Sequence, residues 1–222
     1  MDHIDHLTAL YDVKDRAVTD IGAGKGHFSQ QLAARGAHVT GIEIDAGKVA
    51  VAQARMPDGA RVVEGRAEAL PLADRSQDLL CFIFTFHHIP VEVHDLALAE
   101  AVRVLKPGGH LHFVEPLAEN CVHDPMKLID DETYVRTCSH ARINALAGEG
   151  HFKLIDSTLY NRVYSYDGFD SFIDSIIGVD PERAAKVPAA RDEMEKLFYE
   201  KAIMDNGRYR MDDPCRAYHF AT

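Results

Sequence analysis

No run of roughly 18 consecutive apolar residues occurs anywhere in these 222 residues, so nothing in the chain reads as a membrane-spanning helix. The opening Met-Asp-His-Ile-Asp-His lacks a positive region followed by an apolar run, so no secretory leader is read and a cytoplasmic protein is expected. Cysteine is scarce. The four present (Cys81, Cys121, Cys138, Cys215) form neither a C-x-x-C pair nor the dense spacing of a disulfide scaffold, which fits reduced thiols and signals no redox role. Basic charge is also short: 24 Lys and Arg stand against 35 Asp and Glu, for a formal charge of −11. The basic residues are dispersed, leaving no electrostatic footprint for a nucleic-acid backbone, so the expected partner is a small molecule. Repeats and low-complexity segments are lacking as well. A hydrophobic content of 46% over this length suits a single domain spanning 1–222 with one sizeable core and an appended cap.

What is present is an alternation of short apolar runs with amphipathic stretches from Ala17 onward, the pattern of helices covering both faces of a mostly parallel sheet. Strands are expected at 18–21, 37–44, 61–64, 78–86 and 110–114. The continuous Leu-Leu-Cys-Phe-Ile-Phe run of the fourth reads as a central strand buried on both faces. Helices are expected at 27–35, ending near Gly36; at 46–55, capped by Asp45 and stopped by Pro57; and between Val93 and Leu105, ended by Pro107, Gly108 and Gly109. Later, 133–147 reads as a helix, 153–166 as a long strand and 216–221 as a last one. The reading is an α/β, doubly wound, mostly parallel sheet of seven strands with a helical insertion before the last strand. That insertion, about 167–208, carries two amphipathic stripes (Phe169, Phe172, Ile173, Ile176; then Met194, Leu197, Phe198) and is expected to act as a cap or lid.

The richest stretch is Val18 to Ser29, where a strand ends in Asp20 and glycines follow at 22, 24 and 26. Such glycines let a backbone turn tightly and approach a ligand closely. The dinucleotide pattern G-x-G-x-x-G would hold a pyrophosphate, but here the third glycine comes one residue early and Asp20 would repel a phosphate. The acid suits a ligand bearing an ammonium and a sulfonium, as S-adenosylmethionine does. Glu43, near the end of the second strand, stands where a carboxylate accepts hydrogen bonds from both ribose hydroxyls.

Several motifs fall in order. Asp20-Ile21-Gly22-Ala23-Gly24-Lys25-Gly26 is followed by Gly41-Ile42-Glu43-Ile44-Asp45 and then Gly65-Arg66-Ala67-Glu68-Ala69-Leu70-Pro71. After these come Asp78-Leu79-Leu80 through His87-His88-Ile89, and Arg103-Val104-Leu105-Lys106-Pro107-Gly108-Gly109. Together they resemble the class I S-adenosylmethionine-dependent methyltransferases, in particular the ubiquinone/menaquinone-type branch known as type 11. The resemblance covers roughly residues 15 to 165, and five signals at compatible spacing are far more specific than a lone glycine motif. It implies S-adenosylmethionine as cofactor, S-adenosylhomocysteine as product, and a cofactor site of Asp20, Gly22, Ala23, Gly24, Gly26, Glu43, Ile44, Arg66, Ala67, Glu68, Phe84 and Thr85. One position departs: the family usually has Asp where Arg66 stands, and Arg66 has no acceptor for the adenine amino group. Backbone around Ala67, or the Glu68 side chain, is expected to take over, with Arg66 in solvent or stacked on the base.

Methyl transfer is an in-line displacement, so the main demand is geometry; an acceptor that must lose a proton also needs a base near neutral pKa. His87, just after the fourth strand, is the candidate catalytic base, ahead of His88. Glu115, ending the fifth strand, faces either the substrate mouth or solvent. Tyr11 is a candidate to cover the cofactor's methionine end. His110 and His112 share one strand face, a spacing that suits two metal-ligating imidazoles or a pair packed under a helix. Cys121-Val122-His123 and Cys138-Ser139-His140 are C-x-H units without the usual zinc spacing, and no metal is expected. Cys121, Cys138 and Cys215 also allow capture of a thiol-bound metalloid such as arsenite, with nothing else to support it. Three rival functions stand beside a small-molecule methyltransferase. An NAD(P)-dependent oxidoreductase is opposed by Asp20 and the early glycine. A nucleic-acid amino-methyltransferase would need Asn/Asp-Pro-Pro-Tyr/Phe where Thr85-Phe86-His87-His88 stands. A protein that binds the cofactor without turnover has the same motifs.

Overall fold

The computed structural model describes residues 2–222. In chain order the elements are α1 (His3–Leu10), β1 (Ala17–Ile21), α2 (His27–Ala34), β2 (His38–Glu43), α3 (Ala46–Gln53), β3 (Arg61–Glu64), β4 (Gln77–Ile83), α4 (His94–Val104), β5 (Leu105–Pro116) and α5 (His123–Met126). They continue with α6 (Thr133–Ala145), β6 (Lys153–Tyr166), α7 (Phe169–Val179), α8 (Val187–Lys201), β7 (Ile203–Asp205) and β8 (Arg208–Ala221). The chain divides into two compact units. The first runs through Glu115 and adds Cys138–Thr158 and Arg216–Thr222, while the second comprises Pro116–Thr137 and Leu159–Cys215.

The strand order of the sheet is β3-β2-β1-β4-β5-β8-β6, and β3, β2, β1, β4 and β5 run parallel to one another. Leu79, Leu80, Cys81 and Phe82 of β4 are all fully buried, as their unbroken apolar run demands for a strand covered on both faces. One face packs Leu80, Phe82, Leu111 and Phe113 against Ala97, Leu98, Ala101 and Val104 of α4. The other packs Val18, Val39, Leu79 and Cys81 against Ile4 and Leu7 of α1 and Phe28 and Leu32 of α2. Helices on both faces make the sheet doubly wound, as expected from the alternation. The order reverses at β1, between β2 and β4, and that switch point opens a crevice beyond the carboxyl ends of β1 and β4.

The fourth strand ends at Ile83 rather than at 86, since Phe84 takes a positive φ, and two strands begin well before expectation for local reasons. β5 begins at Leu105 rather than at 110, because Leu105 pairs with Gln77 while the next partners are Leu79 and His110. Residues 106–109 therefore bulge out inside the strand, and Gly108 takes φ +75° to close the bulge. β8 begins at Arg208 rather than at 216, and an eighth strand, β7, joins the expected seven by pairing antiparallel with it. Asp205 opposes Arg208 across Asn206 and Gly207, whose φ values of +49° and +79° make the two-residue hairpin turn that Asn-Gly favours.

The second unit has its own core. Both insertion stripes form helices, α7 and α8, and the stripe residues meet one another: Phe172 and Phe198 lie 5.3 Å apart between ring centroids, and Tyr166, Ile173, Ile176, Met194 and Met211 fill the same cluster. Arg183, nearly buried, pairs with Asp130 at 2.7 Å and with Glu132 at 3.1 Å, and Glu132 also pairs with Arg136. Such a network is self-satisfied, so burying its charges does not leave an orphan.

Candidate cofactor and active site

The crevice at the switch point is built by the turn between β1 and α2. Gly22 and Ala23 amides donate to the Ile42 carbonyl at 2.8 and 3.0 Å, which hooks the turn onto β2. Gly22 has φ +74°, and a Cβ there would stand 2.3 Å from Thr85 Cγ2. Only glycine fits between β1 and the exit of β4 at that height. Gly24, by contrast, would meet nothing within 4 Å, so its backbone faces open space. Its amide donates to Glu43 Oε2 at 2.8 Å, while the Asp45 amide donates to Glu43 Oε1 at 3.0 Å. Glu43 thereby joins the glycine turn to the end of β2, with a lone pair of each oxygen still uncommitted to those amides.

Asp20 lies deep in the site. It is 2% exposed, beneath the turn rather than in the open, and Ser29 Oγ donates to its Oδ2 at 2.6 Å. Burial pushes its carboxyl up to about 6 against the bonds from Ser29, and the charge of Glu43 adds to the rise.

Ile44 is an exposed apolar side chain immediately after Glu43. On the next loop Ala67 is buried, and Arg66 Nε donates to Glu68 Oε1 at 2.7 Å with the guanidinium more than half exposed. Burial opposes ionisation of Glu68, but the bond and charge of Arg66 hold its carboxyl below the usual range. The loop itself is fastened from α4: Glu100 accepts the Leu70 amide at 2.7 Å, and Arg103 donates to the Leu70 and Leu72 carbonyls at 3.0 and 2.8 Å. The 103–109 motif marks Arg103 in the sequence, but its span of more than thirty residues back to this loop is a tertiary fact.

At the exit of β4, Phe84 takes φ +51°, a region costly for a bulky residue and one that clusters at functional sites. Its amide donates to the Val114 carbonyl at 2.8 Å. Thr85 follows, against Gly22, and a 3-10 turn spans Phe86–His88. Glu115 corrects the expectation of a mouth-facing or solvated group: it is fully buried, with Oε1 accepting the Thr85 and Phe86 amides at 3.1 and 2.8 Å. Its Oε2 accepts the His87 amide at 3.2 Å and lies 2.5 Å from His87 Nδ1. His87 itself is 3% exposed.

The remaining candidates lie elsewhere. Tyr11 packs against His110, with ring centroids 4.3 Å apart; it is His3, at the other end of α1, whose ring meets Phe84 at 5.0 Å. His110 and His112 do pack under α1, in company the sequence does not announce: His219 of β8 bridges them, its Nε2 2.8 Å from His110 Nδ1 and its Nδ1 3.2 Å from His112 Nδ1. His123 is engaged by the Ala118 carbonyl and the Glu132 amide, and His140 by Tyr218 Oη. Cys215 is buried, which pushes its thiol up to about 11.

An open parallel sheet whose glycine turn, at the switch point, is tied to an acid ending the second strand defines a nucleotide-cofactor-binding α/β domain. Residues 19–113 match the family described as methyltransferase domain. Among similar proteins, malonyl-[acyl-carrier protein] O-methyltransferase of Methylococcus capsulatus is 43% identical over 98 residues, covering 42% of this chain and 35% of that protein. Demethylmenaquinone methyltransferase of Renibacterium salmoninarum is 37% identical over 109 residues, 49% of this chain and 45% of that protein. The chain thus spans less than half the length of either relative. A putative methyltransferase from Bacillus halodurans has the same fold from end to end, with a TM-score of 0.69 at 20% identity, covering 98% of this chain and 96% of that one.

Proposed function

We propose that the protein transfers the methyl group of S-adenosylmethionine to a small-molecule acceptor. The observation that carries the reading is the Gly24–Glu43 tie beside the open face of the glycine turn. The turn presents bare backbone to the cofactor, and Glu43 offers its remaining lone pairs to the two ribose hydroxyls. In the same reading Gly22, Ala23 and Gly26 shape the cradle and Asp20 supplies negative charge to the cationic end. Ile44 underlies the adenine, whose edge meets the backbone at Ala67 or the Glu68 carboxylate with Arg66 alongside, and Phe84 and Thr85 line the methionine end. The acceptor's lone pair attacks the methyl carbon in line with the carbon–sulfur bond, whose electron pair leaves on sulfur to give S-adenosylhomocysteine. His87 takes the proton of an acceptor that carries one. The net charge of −11 favours a small acceptor over a nucleic acid. The two relatives differ in the acceptors their names state, so the acceptor is not carried over from either.

Calorimetry with S-adenosylhomocysteine and, separately, NADH tests the cofactor. Binding of the first at micromolar or tighter Kd supports the reading, and binding of NADH alone overturns it in favour of an oxidoreductase. Release of S-adenosylhomocysteine from S-adenosylmethionine across a metabolite panel then tests turnover; cofactor binding with no release for any acceptor would favour a protein that binds without catalysis.

A further inference from the structure

Glu115 occupies an unusual place for a carboxylate. It is wholly buried at the end of β5, yet it lies on the loop that leaves β4, and four donors converge on its two oxygens. Three are the consecutive amides of Thr85, Phe86 and His87; the fourth is the ring of His87. Burial works against a charge there, but the attraction of His87, its ring bond and the Phe86 amide outweigh burial and hold the carboxyl below the usual range. An ionised carboxylate only accepts hydrogen bonds, so the nitrogen facing it must carry a proton. Histidine then has one nitrogen left for chemistry.

We infer that Glu115 is a positioning residue that keeps the proton of His87 on Nδ1 and presents Nε2 as the proton acceptor of the methyl transfer. The inference rests on the proposed methyltransferase reading and narrows it: the acceptor is an atom that bears an acidic proton, such as a hydroxyl, a thiol or an enolisable carbon. When such an acceptor reacts, the lone pair of its oxygen or sulfur, or the electron pair left on carbon as its proton departs, forms the new bond to the methyl carbon, and the old carbon–sulfur electron pair stays on sulfur. The acceptor's proton passes to Nε2, and the imidazolium that results is stabilised by the Glu115 carboxylate until water removes the proton. The same four-donor arrangement sets the height of Thr85, the side chain that abuts Gly22, so the base and the cofactor turn are placed by a single group.

A purely structural staple and a positioning residue give different answers to Glu115→Gln. The amide oxygen of Gln still accepts the Thr85 and Phe86 amides, but its NH₂ can only donate, so the His87 amide loses its acceptor and the His87 ring would have to turn an unprotonated Nδ1 toward the NH₂ and carry the proton on Nε2. The test is the long-range ¹H–¹⁵N ring correlation of ¹⁵N-labelled protein, with the His87 signals assigned by their loss in His87→Phe. Wild-type His87 is expected to hold a proton on Nδ1 across the pH range, and Glu115→Gln to move it to Nε2. Wild-type signals with the proton on Nε2 alone overturn the inference without any variant, and so does a Glu115→Gln protein whose His87 remains protonated on Nδ1. With an acceptor from the panel, Glu115→Gln should lower kcat by about 100-fold or more. Undiminished kcat would overturn it. Failure of the parent protein to bind S-adenosylhomocysteine would instead overturn the methyltransferase reading, whatever the tautomer of His87.

Discussion

Replacing Glu43 with Gln changes one oxygen to an NH₂ and leaves the side chain's shape untouched, so its consequences can be worked from contacts. Glu43 now satisfies the Gly24 amide at 2.8 Å with one oxygen and the Asp45 amide at 3.0 Å with the other. Gln has a single carbonyl oxygen, so in either orientation one of those amides faces another donor. Gly24 is half-buried and Asp45 exposed, so water can replace part of the lost bond, and the cost of about 0.5–1.5 kcal/mol should appear as lowered thermal stability of the protein without cofactor. The cofactor loses more specifically. A ribose hydroxyl that donated to a carboxylate forfeits a charged acceptor, a bond worth about 1.5–3 kcal/mol, and the loosened Gly24 no longer holds the turn in register. At about 1.4 kcal/mol per tenfold, the Kd for S-adenosylhomocysteine should rise roughly 10- to 100-fold. Isothermal titration of the wild type and Glu43→Gln, alongside thermal melts, measures both quantities. If stability falls while affinity stays within twofold, Glu43 is only a tie between loop and strand, and the ribose assignment is wrong.

Three further outcomes follow from the same contacts. Gly22→Ala combines a positive φ with a clash on Thr85 and should cost roughly 2–5 kcal/mol in urea unfolding; adding Thr85→Ala should recover the clash but not the dihedral share, and full additivity of the two changes would refute the packing account. Asp20, with its carboxyl at about 6 in the empty protein, should be ionised when the cation binds, so S-adenosylmethionine affinity is expected to fall about tenfold between pH 7 and pH 5; an equal fall in Asp20→Asn would show that another group is responsible. Burial foremost, and the charge of His110 next, pushes His219 down to about 4. Between that value and the ordinary 6.5 the unfolded chain binds a proton that the folded one does not, so its contribution, about 3 kcal/mol, is complete above pH 6.5 and is lost as pH falls toward 4. Asp20 works in the opposite sense, since the folded state takes its proton first as pH drops below 6. Comparing pH-dependent urea melts of wild type and His219→Phe isolates the histidine, and identical slopes in that window would discount it.

Much of the first unit was legible because its signals are local. A short unbroken apolar run fits a strand buried on both faces, and the glycines between Asp20 and His27 leave few other backbone paths. Asp45 shows the same economy, capping α3 by accepting the Lys48 amide at 3.0 Å. α1 went unread as a helix although Ile4 and Leu7, three apart, mark its buried side. The Asn206-Gly207 turn was likewise present in the letters, and with it the hairpin that lengthens β8.

What residue order alone determined, then, is the alternation of strands and helices, the position of the glycine turn and the acid at the end of β2, because each depends on neighbours a few positions away. Which groups each functional side chain meets was decided only by tertiary structure. The chain brings Glu115 to His87 across twenty-eight positions, and His219 to His110 across one hundred and nine, by laying strands side by side. Burial also set the character of two acids: Asp20 lies under the glycine turn, bonded to Ser29, and Glu115 became the anchor of a loop rather than a solvated end. A carboxylate's surroundings set its charge and its partners, and those surroundings come from segments that no local pattern connects.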